Sequence, residues 1–574
     1  MQGHNQSGRS LPKRIWLEDV EVRLDSNEIV VEGTVVRLKP KAMQVLQCLV
    51  SASGRVLTNS EILDQVWSNL IVSASVLTEA IHELRRAFRD ESRKPRFIQT
   101  VPRRGYRMVA EIRFSTGGNP RVAVLPFASL SDDPEDRYFC DGLAEELING
   151  LGRIREVEVV ARTSSFRLAE SEVNRQRLAG KLNATHLVSG SLRRIANRIR
   201  VVAYLIDSDA ETEVWSAVFD RLLGDLITVQ DEIASSIARA IAPQLELGAG
   251  DRLVGISTSN LEAYREFSRG RHLWKQFNYD PARSMQCYRK ALDLDPDFAL
   301  PHAGMVECYN TLAVFHLMPQ NAAREASIKH AEQALFLDPH SADTQFAFGY
   351  TQLYMHWNWR LAEMAFDRAL ATNPNHVLAL CFRSLLLCTL QRWEESRSLA
   401  VTATRLDPFS PLSWSLRSVA SLYRRDPGDA LAAAEHGLEL NPEDLLSRWV
   451  RADSVVRLGS RPRALDMVHD LDARADGQPL FKACAGVLYG LLGERSETLR
   501  IWEQLECGTR ADAFLCSLLS IHLNDPEKAL DPLEQAESEG EAAFYTIGCL
   551  PYFDPLRRHP RFVRLLKRLG IDGR

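Results

Sequence analysis

No run of apolar residues in this chain of 574 approaches the length of about eighteen that a bilayer span requires, and no charged-then-apolar leader opens it. Neither a membrane anchor nor export is therefore expected, and the cytoplasm is the expected compartment. Cysteine is thin as well. The ten present form no C-x-x-C pair and no His/Cys cluster, so neither a disulfide framework nor a zinc site is expected, and reduced thiols suit a cytosolic setting. Cys381 and Cys388 lie within a helical pattern and read as small core residues. Signatures of catalysis are missing too. Gly180-Lys181 lacks the first glycine of a phosphate loop, Leu182 stands where Ser or Thr should be, and neither H-E-x-x-H nor G-x-S-x-G occurs. The fourteen histidines are dispersed. No cofactor and no metal are expected, and an enzyme is the weaker class.

What is present is ordinary globular composition, 45% hydrophobic and 25% charged. The length calls for about three to five domains. Charge is unevenly placed. Residues 1–113 hold 18 basic and 13 acidic side chains, whereas the remainder holds 52 and 62. A cationic first module on an acidic chain points to nucleic acid at one end and other partners beyond it.

The stretch from Lys39 to Val109 reads as three helices and a hairpin. After Pro40, Met43, Val45, Leu46, Leu49 and Val50 share one helical side. Thr58-Asn-Ser-Glu61 spells a capping box that starts the second helix, whose core face is Ile62, Leu63, Val66 and Trp67. In the third, Leu77, Ile81, Leu84 and Phe88 face inward, leaving Thr78, Glu79, His82, Arg85, Arg86 and Arg89 outward. Phe97 to Val101 and Tyr106 to Ala110 are strands joined by Pro102-Arg103-Arg104-Gly105. Between Val76 and Arg107 stand nine Lys/Arg and four Asp/Glu, the footprint expected where phosphates are neutralised. Ahead of the helices, Val20 to Leu24 and Val35 to Leu38 alternate as a small antiparallel sheet.

The order is that of a winged helix-turn-helix, and FIQTVPRRGYRM with ELRRAF resembles the OmpR/PhoB-type DNA-binding effector domain across Ile15 to Arg113. That resemblance implies a third helix in the major groove and a wing in the adjacent minor groove. The implied DNA-binding residues are Val76, Thr78, Glu79, His82, Arg85, Arg86, Thr100, Arg103, Arg104 and Tyr106. Among them Thr78 and His82 would bond base edges, Val76 would touch a thymine methyl, and Arg85 and Arg86 would meet phosphates. Glu83 departs from the family, which often carries arginine there. Either that contact is lost or Glu83 accepts from a cytosine amine. The family also places RNA polymerase contact in the loop Ser68 to Ala74.

Ser115 to Pro120 is a Gly/Pro linker. Beyond it, a strand at Val122 to Phe127, a helix capped by Asp141, a strand at Val157 to Val160, a helix through Leu182, three further strands and a helix from Leu226 to Ile241 describe an α/β domain. VAVLPFASLSDDPEDRYFCDGLAEELINGL, ARTSSF, GSLRR and VWSAVFDR resemble the TolB N-terminal-like domain. Asp141-Gly142 and Arg162 to Ser165 form a candidate anion corner, with turn and cap roles as the plainer reading. From Ser259 onward, Asp295-Pro296, Asp338-Pro339, Asn373-Pro374, Asp407-Pro408 and Asn441-Pro442 close helical segments at proline spacings of 43, 35, 34 and 34. With YRKALDLDP, AEQALFLDP, AFDRALATNP and AEHGLELNP, this is the tetratricopeptide signature, the 43 holding an insertion near His316 to Asn321.

The expected fold is thus multidomain α+β. It comprises a disordered lead (1–14), a winged helix-turn-helix (15–113), a linker (114–120), a central TolB-like α/β domain (121–247) and a C-terminal α-solenoid of tetratricopeptide repeats (259–574). The solenoid should hold about seven to nine helix pairs, with Trp274, Trp357, Trp359, Trp393 and Trp414 as core wedges and Arg557 to Leu569 as a basic cap helix. About fourteen polar residues precede Ile15, so no receiver domain is expected. The layout resembles the HilA/CadC-like group of regulators without a membrane helix. The expected function is sequence-specific transcription regulation, as an activator, with double-stranded DNA as partner. RNA polymerase, a homodimer on tandem half-sites, and a protein or peptide on the concave face of the repeats are further expected partners. The competing classes are a scaffold or co-chaperone without DNA binding, and a nucleotide-binding enzyme in the α/β domain.

Overall fold

Short alternating segments and proline-punctuated helices become the elements their patterns predict, and the structure, a computed structural model, gives their ends. It describes residues 14–17, 20–24, 27–31, 34–52, 56–67, 74–90, 95–102, 104–110, 112–114, 119–130, 136–172, 174–208, 212–222, 224, 226–241, 253, 258–275, 281–505, 512–523 and 526–571. The expected lead but for Arg14, most of the linker, and residues 68–73 of the expected loop lie outside these. The chain divides between Pro120 and Arg121 into two compact units.

The first unit runs β1 (Arg14–Leu17), β2 (Val20–Arg23), β3 (Glu28–Val31), β4 (Thr34–Arg37), α1 (Pro40–Ser51), α2 (Asn59–Val66), α3 (Ala74–Phe88), β5 (Ile98–Val101), β6 (Gly105–Met108) and β7 (Ile112–Phe114). Its five-stranded sheet has the order β4-β3-β2-β1-β7. The return of β7 to pair with β1 was not anticipated from sequence. One face of the sheet buries Leu17, Val20, Val22, Ile29 and Val31, and these share a core with Met43, Leu46, Leu49, Ile62, Leu77, Ile81 and Leu84 of the helices. Hairpin β5-β6 forms its own two-stranded sheet.

The second unit begins with β8 (Arg121–Val124), β9 (Ala128–Ser129), α4 (Asp136–Gly152), β10 (Glu158–Val160), α5 (Arg162–Ser171), α6 (Arg175–Leu182), β11 (His186–Ile195), β12 (Arg198–Asp207), β13 (Glu213–Leu222) and α7 (Leu226–Ile241). The strand order is β10-β8-β11-β12-β13, with β9 beside β11. β10, β8 and β11 are parallel, and β11, β12 and β13 are antiparallel. Two expectations need correction. Asp141 lies inside α4, which starts a turn earlier at Asp136, so Asp141 is not its N-cap. The helix expected to run through Leu182 is two helices, because the Asn174 side chain caps a second start at α6.

The array then pairs α8 (Leu261–Lys275) with α9 (Pro281–Leu294), α10 (Ala299–Val314) with α11 (Gln320–Leu337), α12 (Ala342–Thr351) with α13 (Trp359–Thr372), and α14 (Val377–Thr389) with α15 (Trp393–Leu406). It continues with α16 (Pro411–Tyr423) and α17 (Pro427–Leu440), α18 (Leu445–Arg457) and α19 (Arg461–Arg474), α20 (Pro479–Leu491) and α21 (Arg495–Gln504), and α22 (Ala513–His522) and α23 (Leu530–Glu539). That makes eight pairs among the described residues. The long repeat reflects lengthened α10 and α11, of 16 and 18 residues. Alanines at the crossings, among them Ala331, Ala362, Ala369, Ala403 and Ala434, are at most 1% exposed, which lets the helices approach closely. Trp274 and Trp359 are buried wedges.

The chain ends in two 3-10 turns, Ala542–Gly548 and Pro551–Leu556, and α24 (Pro560–Arg568). Arg561 and Arg568 of α24 pair with Glu534 and Glu537 of α23, as a cap should. Before that, the segment enters the curve of the array. Gln320, Thr389, Arg425 and Trp449, from the second, fourth, fifth and sixth pairs, all bond residues 542–552 of it. The concave face expected to stand open for a partner therefore holds the chain's own C-terminal segment.

Candidate nucleic-acid interface

The helix ends of the first unit set its geometry. Pro40 occupies the first turn of α1, where a missing N–H costs nothing. At α2 the Glu61 amide donates to Thr58 Oγ1 (3.2 Å) while the Thr58 amide donates to Glu61 Oε2 (2.7 Å), completing the capping box. The Lys41 ammonium donates to the Val66 carbonyl at the other end of α2. Asp90, just past α3, accepts from the amides of Arg96, Phe97 and Ile98 and so starts the hairpin. Phe88 stacks on Phe97 with ring centroids 4.7 Å apart. Leu57 bridges Tyr106 by two backbone bonds of 2.8 and 3.0 Å. Gly105, at φ 139°, must be glycine: a β-carbon there would lie 1.9 Å from the Leu57 carbonyl oxygen.

On this frame Thr78, Glu79, His82 and Arg86 are exposed along α3, and Val76 is half-buried against the core. Arg104 is exposed at the hairpin tip and Arg103 lies outside the described residues. Thr100 is exposed and Tyr106 half-buried against the core. Arg85 is placed differently from a free phosphate-binding side chain. Its Nη2 donates to the Ile98 carbonyl (2.9 Å) and to Thr100 Oγ1 (2.8 Å), tying α3 to the wing. Glu83 is also engaged, its Oε1 accepting from the Lys39 amide at the start of α1 (2.7 Å). Two carboxylates, Glu83 and Asp90, are thus spent on scaffold amides. The spacing of charges in sequence carries no such information, because the partners come from other elements.

In the second unit the anion corner exists, and its anion is internal. The Asp407 carboxylate, from the Asp-Pro motif after α15, accepts from the Ser164 amide (3.0 Å) and hydroxyl (2.5 Å) in the first turn of α5. Asn375 likewise accepts from the Val159 amide and donates to the carbonyls of Gly152 and Val157. The residues that end repeat helices also dock the α/β layer. A cavity of 1090 Å³ lies along this seam, lined by Phe127, Arg162, Phe166, Arg271, Asp343 and Asp407 among others. Its charges meet one another: Arg162 faces Asp141 (3.4 Å), and Arg271 faces Glu145 (2.7 Å) and Asp343 (3.2 Å). Burial opposes ionisation of Asp343, yet the His376 hydrogen bond and the Arg271 charge hold its carboxyl well below the usual range. Burial, with Glu145 and Asp343 nearby, pushes Glu146 up to about 7.

Cys381 and Cys388 are buried and free, and burial pushes the Cys388 thiol up to about 11. Sequence reading missed His316, Asp512 and Glu541, which the fold gathers from three distant segments into a group able to hold a metal ion. Part of this donor set is already engaged within the protein, although His316 Nε2 is buried without a hydrogen-bond partner. His316 Nδ1 and Asp512 Oδ2 stand 2.5 Å apart, a hydrogen-bond separation, and Glu541 accepts from the amides of Ala513 and Phe514. No described helix is long and apolar enough to cross a membrane.

Comparison with known proteins connects this geometry to a family. A profile described as transcriptional regulatory protein, C terminal, matches residues 33–108. "Putative adenylate cyclase 3" of Rhizobium meliloti is 35% identical over 189 residues, 32% of this chain and 32% of that protein. Transcriptional regulator HilA of Salmonella typhi is 21% identical over 431 residues, covering 73% of this chain and 75% of its own. Transcriptional activator CadC of Escherichia coli is 36% identical over 87 residues, 15% of this chain and 17% of CadC. The chain thus spans about a third of the length of the cyclase-named relative and three quarters of HilA. Residues 33–108, with their capped helices and basic hairpin, form a domain of the transcriptional regulatory protein C-terminal type.

Proposed function

We propose that the chain is a sequence-specific DNA-binding transcription regulator, acting as an activator at a cytoplasmic promoter. In this reading α3 enters the major groove with Val76, Thr78, Glu79 and His82 toward base edges, and Arg86 meets a phosphate. Arg103 and Arg104 bring the wing to the minor groove. Thr100 and Tyr106 line the wing, and Arg85 sets its angle to α3 as well as lying near the backbone. RNA polymerase meets the loop Ser68 to Ala74, and two copies occupy half-sites about one helical turn apart. The repeats and the α/β layer receive the regulatory partner.

One observation carries the reading most: the exposed side of α3 keeps polar readers and Arg86, while Glu83 and Asp90 are turned to scaffold amides. That arrangement leaves the basic groups of this segment less opposed than its sequence count implies, which favours phosphate contact. The relatives named HilA and CadC are regulators by name, which agrees with it. The reading assigns binding, not catalysis, to the chain. Release of pyrophosphate from a nucleotide by the purified protein would remove that part.

The test is a mobility-shift series with genomic fragments at two salt concentrations. Specific retention with a steep salt dependence is expected. Arg104→Ala should weaken binding by roughly 1 kcal/mol or more, and His82→Ala should change base preference more than total affinity. Equal retention of every fragment and of bulk competitor would remove the sequence specificity, and no retention of any fragment would leave a protein scaffold as the better account.

A further inference from the structure

We propose that the first helices of the repeats, with the turns and second-helix starts that follow them, form a peptide-capture groove whose occupant is the chain's own segment 541–571, so that a partner enters only by displacing it with a segment of the same aromatic, 3-10-rich character. This stands independently of the DNA reading, since it concerns the array alone.

Three observations support it. The first is reach. Side chains from the second, third, fourth, fifth, sixth and eighth helix pairs contact this one segment, as expected on the inner side of a curved array, where the pairs converge. The second is the kind of contact. Gln320 Oε1 accepts from the Ala542 amide (3.0 Å), Thr389 Oγ1 donates to the Tyr545 carbonyl (3.2 Å), Arg425 Nη1 donates to the Cys549 carbonyl (2.7 Å), and Trp359 Nε1 donates to the Leu569 carbonyl (2.7 Å). Helices pack through side chains because their backbone groups are already paired. Here four pairs each hold a main-chain group of the guest, the mode by which grooves recognise peptides. The 3-10 turns, their junctions and the C-terminal end of α24 supply such groups.

The third observation is a series of ring pockets. Phe544 lies 4.8 Å from Trp357, and Tyr545 meets Tyr354 edge-on at 4.4 Å. Tyr552 sits by Trp449, whose Nε1 donates to its hydroxyl at 2.7 Å, while Arg457 lies over its ring. Main-chain capture supplies affinity and the pockets supply selectivity. The entrance is fastened by Glu541 on the first amides of α22 and by Arg425 on Asp554 (2.6 Å).

The experiment uses the full chain with a protease recognition sequence inserted between Gly540 and Glu541. After cleavage, the helical circular dichroism should persist, and a fluorescent peptide of residues 541–571 should exchange into the nicked protein saturably. Arg425→Ala or Thr389→Val in the array should weaken uptake about tenfold or more, and a peptide carrying Tyr552→Ala should compete poorly. Collapse of the array on cleavage, or absence of exchange, would make the segment an inseparable part of the core and overturn the proposal. A second measurement needs no insertion. In the intact chain, Arg425→Ala should speed hydrogen exchange at 545–552 while leaving α14 and α16 protected, and unchanged exchange there also overturns it.

Discussion

Single side chains in this protein are placed by partners far away in sequence, and Arg85 is the plainest case. Its Nη2 is engaged by the Ile98 carbonyl and Thr100 Oγ1, so its main effect on DNA binding should be to hold the wing at a fixed angle. Arg85→Ala is expected to lower DNA affinity about tenfold with little change in salt slope. A slope reduced by about one would instead make it a direct phosphate contact. Glu541 presents a second case. Burial, reinforced by Asp512, pushes its carboxyl up to about 8. Because the folded value is raised, the folded state holds the extra proton. The associated stability is complete below the ordinary carboxylate value and declines as pH rises toward about 8. Melting temperature should therefore fall across that window, and Glu541→Gln should flatten the decline. An unchanged slope in the variant would show that other groups cause it.

Many elements start and stop for local reasons, but α5, like α22 with its distant Glu541, does not. Its N-cap residue Ala161 offers no side-chain oxygen, and the missing acceptor arrives from Asp407 at the end of α15. A carboxylate there meets both unpaired amides and the positive helix end. Asp407→Ala should cost about 2 kcal/mol, read by urea denaturation, within the range of a lost cap or charged hydrogen bond. Asp407→Asn should recover part of it, since an amide oxygen still accepts. By contrast, the Thr58-Glu61 box was legible in the sequence because both partners sit within four residues.

Over the whole molecule, the α/β layer and the repeats fall in one compact unit, and the winged helix falls in another. Bonds such as Arg121 to the Arg405 carbonyl and Arg167 to the Leu440 carbonyl cross the seam within the second unit. Residues 121–574 should consequently unfold together, and proteolytic separation at the 115–118 segment should leave their melting temperature unchanged. A calorimetric trace in which the α/β layer melts apart from the repeats would contradict this.

Sequence alone determined the three helices and the hairpin of the winged helix, a helical repetition of about seven to nine pairs and most of the exposed face of α3, because periodicity, capping and proline position act within a few residues. It could not determine where Glu83, Arg85 and Asp407 point, or that the concave side of the array is filled. Those outcomes depend on groups brought together across tens to hundreds of residues, where the need to satisfy buried amides and carbonyls, and not local propensity, selects the partner.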